Sequence, residues 1–148
     1  MKKIILTLSI ILAMTVTNSF AAPMVHRDPK AEQEFQKQFS NAKNVVWSTS
    51  KEGYLKVIFT WGGHRAEAYF DSNAEIIGTA RNLFFDQLPL NVVRAFNNRF
   101  KNAVALEVVE ITNAEGCKYA ITLENKKGKF TTMISSIGGV VSTERIKK

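Results

Sequence analysis

The sequence predicts an α+β protein built from two successive copies of one unit, a helix followed by four antiparallel strands, with both helices packed on one face of the sheet. Two observations carry this. Apolar residues recur at four-residue spacing and then switch to strict alternation, the change from helix period to strand period. That whole order occurs twice, over about 29–82 and 88–146.

In the first pass, Asp28-Pro29 supplies a side-chain cap and a proline at the first helical position. Ala31, Phe35 and Phe39 line one helix face, and Asn41-Ala42 ends the helix. Val45 to Thr49 is a short strand, and Lys51-Glu52-Gly53 turns it into Tyr54 to Trp61. There Leu55, Val57, Phe59 and Trp61 alternate with Tyr54, Lys56, Ile58 and Thr60. Gly62-Gly63 is a hairpin signal. His64 to Asp71 alternates again, with Ala66, Ala68 and Phe70 opposed to Arg65, Glu67, Tyr69 and Asp71, before Ser72-Asn73 leads into Glu75 to Arg81.

The second pass opens with Leu88-Pro89 and a helix carrying Val92, Val93, Phe96 and Phe100, ended by Asn102-Ala103. Strands are expected at Val104 to Ile111, Cys117 to Glu124, Lys129 to Ser135 and Val140 to Ile146. At an offset of about 64, Phe59 meets Leu123, Phe70 meets Ile134 and Thr79 meets Thr143. The apolar face of one pass is apolar in the other: Leu55, Val57 and Phe59 against Tyr119, Ile121 and Leu123. A helix with one apolar stripe needs a sheet to cover. The opposite sheet face is then left open, carrying Tyr54, Lys56, Ile58, Arg65, Glu67 and Tyr69 from the first unit. Lys118, Thr122, Lys129, Thr131 and Met133 extend it from the second.

The first 21 residues have the form of an export signal. Lys2 and Lys3 precede the apolar Ile4 to Val16, and Ser19-Phe20-Ala21 offers small residues at a cleavage site. The apolar run is too short for a comfortable membrane span of about 20 residues. Cleavage after Ala21 leaves a single domain over 22–148, periplasmic or secreted, with no membrane span and expected as a monomer. Losing Lys2 and Lys3 takes the 20 basic side chains to 18 against 13 acidic ones, a net +5. These charges are scattered except at Lys126-Lys127-Gly128-Lys129 and Lys147-Lys148, so a nucleic-acid stripe is not expected. Cys117 is the only cysteine, which rules out an intramolecular disulfide.

Chemistry for catalysis is sparse. His26 and His64 lack zinc-ligand spacing, and His64 beside a Gly-Gly turn is expected in solvent. Ser135-Ser136 lacks the Gly-x-Ser-x-Gly setting of a hydrolase nucleophile. Glu67 and Asp71 share a strand face, but Arg65 and Lys56 beside them suggest ion pairs rather than acid–base work. Gly62-Gly63 joins two strands and cannot cradle a phosphate as a strand-to-helix loop does. No enzyme, metal site or cofactor is therefore expected. The open-face residues Tyr54, Lys56, Ile58, Arg65, Glu67 and Tyr69 are the candidate binding surface, because Tyr and Arg are enriched at protein–protein hot spots. The plain alternative is that Tyr, Lys and Arg simply suit cross-strand pairing on a solvated sheet. Phe84-Phe85, between the passes, is a second candidate contact, with packing between the halves as the favoured alternative.

The order of helix, Asn-Ala (Asn41-Ala42), Val-x-Trp strand (Val45-Val46-Trp47), Gly-Tyr strand (Gly53-Tyr54), aromatic-Asp turn (Phe70-Asp71) and Leu-Pro helix (Leu88-Pro89) resembles the PepSY-like, β-lactamase-inhibitor-like proteins exported by Gram-negative bacteria, notably the Bacteroidota. The resemblance covers roughly Glu32 to Ile146. It implies a tandem arrangement of helix and four strands like that of the β-lactamase inhibitor proteins, whose concave sheet face grips a protein partner, and it does not imply that this chain inhibits a β-lactamase. It transfers no contact residue onto this chain. A binder of a small or anionic polymeric envelope ligand is the competing expectation, motivated by the net positive charge.

Overall fold

The computed structural model describes residues 28–146. The export signal expected at 1–21 lies outside them. Eight strands form a single antiparallel sheet in strict chain order, with two helices and a short 3-10 turn at Phe85–Gln87. Helix α1 (Pro29–Gln38) starts where the Asp28 carboxylate accepts from Lys30 N at 2.8 Å. Glu32 in its first turn and Lys37 in its last complement the helix dipole. Strands β1 (Lys43–Thr49), β2 (Leu55–Trp61), β3 (His64–Phe70) and β4 (Ile76–Leu83) follow. After the 3-10 turn come α2 (Leu90–Arg99), β5 (Val104–Asn113), β6 (Gly116–Asn125), β7 (Gly128–Ser135) and β8 (Val140–Arg145).

The sheet is continuous from β1 to β8. Its middle ladder runs from Gly78↔Asn113 to Leu83↔Val108. The register has a period of its own. Val57 pairs with Ala68 and Ala68 with Thr79; displaced by 64 residues, Ile121 pairs with Thr132 and Thr132 with Thr143. The register slip between Tyr69 and Phe70 recurs between Met133 and Ile134.

The core forms two clusters. The first joins Ala31, Phe35 and Phe39 to Val57, Phe59, Ala66, Ala68 and Phe70, with Trp47 packed against it. Phe35 meets Phe59 edge-on at 4.9 Å and Trp47 at 5.6 Å, geometries that the ring quadrupole favours. The second joins Val92 and Phe96 to Val108, Tyr119, Ile121, Leu123 and Ile134. Burying one such Phe or Leu side chain contributes about 1.5–3 kcal/mol. Among the described residues Thr132 is the buried polar exception, and its hydroxyl donates to Ser142 O at 2.9 Å.

Cross-strand neighbours share a face. The strand residues of both clusters thus stand on one side of the sheet. The other side carries Lys56, Ile58 and Thr60, then Arg65, Glu67 and Tyr69, then Gly78, Ala80 and Asn82, and continues through Val109, Ile111 and Asn113.

Two details differ from the sequence expectation. Trp61 lies on the expected face but at the rim of the first cluster, 36% exposed, edge-on to Phe39 at 5.5 Å. Asp71 has left the strand face. Its carboxylate caps the turn after β3, accepting from Asn73 N and Glu75 N, both at 2.9 Å. It therefore cannot pair with Glu67 across a strand face.

Candidate open-face binding site

The register places Lys56 opposite Tyr69, Ile58 opposite Glu67 and Thr60 opposite Arg65, so four of the six candidate residues meet around one carboxylate. Glu67 is that centre. Its Oε1 lies 2.6 Å from Arg65 Nη2, and its Oε2 accepts from Tyr69 Oη at 2.7 Å and lies 3.7 Å from Lys56 Nζ. The Glu67 side chain is only 16% exposed while Arg65 remains 57% exposed. Partial burial and the hydrogen bond to Glu67 push the Tyr69 phenol up to about 12, because ionising it would place a second negative charge beside the carboxylate. The cluster therefore presents an oriented guanidinium and a fixed phenol ring rather than freely rotating groups. Ile58 lies directly over Glu67 on the neighbouring strand. Tyr54, 44% exposed, stands just before β2.

Beside this cluster is a feature the sequence reading missed. Gly78 and Ala80 of β4 both face the open side and carry nothing larger than a methyl. They floor a groove of about 300 Å³ walled by Tyr54 and Tyr69 on one flank and Ile111 and Asn113 on the other. The groove lies on the middle ladder, where β4 meets β5. Its sequence signal is Gly-Thr-Ala at Gly78, Thr79 and Ala80, small residues two apart within a strand.

Phe84 and Phe85 separate. Phe85 packs on Phe96 at 5.1 Å, whereas Phe84 is 68% exposed and edge-on to His64 at 5.5 Å. His64 opens β3 and lies 3.4 Å from Gln87 Nε2, so it is partly covered rather than free in solvent. Cys117 is half-buried against the second cluster. Among the described residues, no group of three or more His, Cys, Asp or Glu side chains could hold a metal ion, and no helix is long and apolar enough to cross a membrane.

The fold is that of the BLIP-like proteins. A BLIP-like protein from Bacteroides fragilis aligns with a TM-score of 0.72 at 23% identity, over 82% of this chain and 87% of that one. A candidate periplasmic protein from Bacteroides eggerthii gives 0.73 at 20% identity, over 82% and 90%. A DUF2874 family protein from Bacteroides uniformis gives 0.72 at 18% identity, over 80% and 88%. At these identities the likeness is one of fold. No protein-family model and no curated protein matches the chain.

Proposed function

We propose that this chain is an exported, non-enzymatic binding protein of the PepSY-like, BLIP-like kind, which presents the open face of its sheet to a protein or peptide partner in the periplasm or outside the cell. One observation carries the proposal. An eight-stranded sheet leaves one side without a core cluster, and at the centre of that side an apolar groove adjoins a charged cluster held in fixed orientation. Such pairing of an anchor pocket with oriented Tyr and Arg is how protein interfaces concentrate their binding energy.

In this proposal the chain is an internal duplication of residues 29–82 and 88–146. Helices α1 and α2 cover the same side of the sheet, and residues 1–21 are removed on export. The recurrence of the β2–β4 register in β6–β8 supports the duplication. The description of one fold neighbour as BLIP-like and of another as a candidate periplasmic protein supports the inhibitor-like and exported parts. An enzyme is disfavoured because Glu67, the most enclosed carboxylate of the face, is already engaged by Arg65, Lys56 and Tyr69.

The test is capture from an envelope extract by immobilised exported protein, comparing wild type with Arg65→Glu/Tyr69→Ala and with Ala80→Arg. A protein held by wild type and lost with both variants is the expected result. An identical set retained by all three would overturn the proposal and favour a small or anionic polymeric ligand bound elsewhere.

A further inference from the structure

An open sheet has two edges, and here they differ. Strand β1 carries one charge, Lys43, and its pairing slips between Lys43 and Val46 where Asn44 adopts φ 54°. Two β1 edges would therefore meet with a kinked backbone, which discourages edge pairing. Strand β8 reads Val-Val-Ser-Thr-Glu-Arg, carries one charge of each sign, and is exposed at all six positions.

The hydrogen-bond phase of β8 follows from one contact. Ile146 N donates to Lys129 O at 3.0 Å, in line with the Phe130↔Arg145 register. In an antiparallel ladder, inward and outward bonding alternates along the strand. Glu144 and Ser142 therefore turn their N–H and C=O toward β7 with Ile146, while Thr143 and Arg145 turn theirs to the outside. Among the described residues no strand lies beyond these outward groups.

We propose that β8 pairs with the β8 of a second copy, antiparallel and centred on Thr143, extending two eight-stranded sheets into one. The register is constrained on both sides. Outward groups must meet outward groups, so Thr143 exchanges both backbone bonds with its own copy. Ser142 then stands opposite the copy's Glu144, a hydroxyl beside a carboxylate, and Val141 stands opposite the copy's Arg145, whose guanidinium is held back over the β6–β7 turn by donating to Lys127 O at 2.9 Å. Moving the centre to Arg145 sets two guanidinium groups directly against each other, which is destabilising. Moving it to Val141 places the centre on the register slip between Met133 and Ile134, where the ladder is irregular. The exposed Val141, at 58%, supplies the apolar contact beside the backbone bonds.

A two-fold axis perpendicular to the sheet keeps the open faces of both copies on the same side. The pairing thus sets two candidate sites side by side without using either, and it replaces the monomer expected from the sequence. Few residues meet, so the dimer is weak and concentration-dependent.

The test is sedimentation velocity of the exported protein over a concentration series, comparing wild type with Thr143→Ala and Thr143→Pro. Both variants lose the Thr143 hydroxyl that touches Thr132 Oγ1 at 3.0 Å, but only proline removes the outward N–H. The expected result is a wild-type and Thr143→Ala dimer at high concentration and a folded Thr143→Pro monomer. A monomer at all concentrations for wild type, equal dimerisation of the proline variant, or growth beyond a dimer would each overturn the proposal. Amide exchange in the wild type gives a readout that does not depend on how proline is tolerated. Thr143 and Arg145 gain protection as concentration rises, whereas Ser142 and Glu144 are protected throughout; concentration-independent exchange at Thr143 counts against the pairing.

Discussion

Arg81 on β4 stands directly opposite Glu110 on β5, with Nη2 2.8 Å from Oε1, on the ladder that joins the first four strands to the last four. The second carboxylate oxygen of Glu110 accepts from Tyr119 Oη at 3.2 Å, and the Arg81 guanidinium lies 6.0 Å from the centre of the Trp61 ring. A polar seam thus separates the two apolar clusters on their shared side. Both partners are partly shielded, with side-chain exposures of 35% and 22%, so the pair should exceed an open surface ion pair. Glu110→Ala removes the carboxylate that Arg81 and the Tyr119 phenol share, and the expected cost is about 1–3 kcal/mol. Glu110→Gln retains an acceptor and costs less. A double-mutant cycle with Arg81→Ala in urea should return a coupling of about 0.5–2 kcal/mol. Strict additivity would show that the seam is incidental.

The Tyr69–Glu67 bond predicts a pH effect on the open face. Folding raises the Tyr69 phenol from an ordinary 10.0 to about 12, chiefly by burial and then by the neighbouring carboxylate. The native state therefore favours the protonated phenol. Its contribution to stability is fully present below the ordinary value and fades as pH climbs toward the raised one. Tyr69→Phe cannot ionise. The stability difference between wild type and Tyr69→Phe, measured in urea, should shift steadily against the wild type between about pH 10 and about pH 12. A difference that stays flat across that interval would mean that the phenol is not held as described.

Much of this fold was legible because local pattern and global packing agree. Leu55, Val57 and Phe59 alternate on β2 and are matched by Tyr119, Ile121 and Leu123 on β6, and all six fall on the side of the two core clusters. Arg65, Glu67 and Tyr69 were placed on the opposite side by the same alternation. Arg81 and Glu110 lie 29 residues apart, and their contact depends on the register across the middle ladder, which no turn in the sequence sets. Gly78 and Ala80 have too little side chain to mark a face, so Glu75 to Arg81 reads in the sequence as the last segment of the first pass without showing the groove it floors. Asp71 continued the alternation of β3, yet its short carboxylate is satisfied locally by the Asn73 and Glu75 amides, the usual competition between such side chains and a ladder.

The groove over β4 yields a prediction that separates binding from folding. Ala80 faces the open side beside Glu67, away from the core clusters, so Ala80→Arg should fill the groove and change stability by about 0.5 kcal/mol or less. Gly78 differs. A Cβ there would lie 3.3 Å from Thr112 O, so Gly78→Val presses on backbone and should destabilise the middle ladder. Thermal denaturation of both variants, run beside partner capture, distinguishes them. Ala80→Arg should melt like wild type and lose the partner, and retention of the partner at full strength would exclude the groove from the interface.

The two core clusters make a last prediction about cooperativity. Phe35 and Phe96 are buried at 0% and 3%, one in each cluster, and truncating either to alanine should cost about 3–5 kcal/mol. Both tryptophans, Trp47 and Trp61, belong to the first half of the chain, and Trp47 lies 5.6 Å from Phe35. Tryptophan fluorescence therefore reports on the first cluster and its rim beside Arg81, while far-UV circular dichroism reports on the whole sheet. If the six-residue ladder from Gly78↔Asn113 to Leu83↔Val108 couples the halves, Phe96→Ala lowers the fluorescence midpoint in urea as much as the dichroism midpoint, although no tryptophan is near Phe96. A fluorescence midpoint unmoved by Phe96→Ala, with a dichroism curve split into two steps, would instead mean that each half unfolds alone. The continuous ladder and the Arg81–Glu110 seam argue for the single transition.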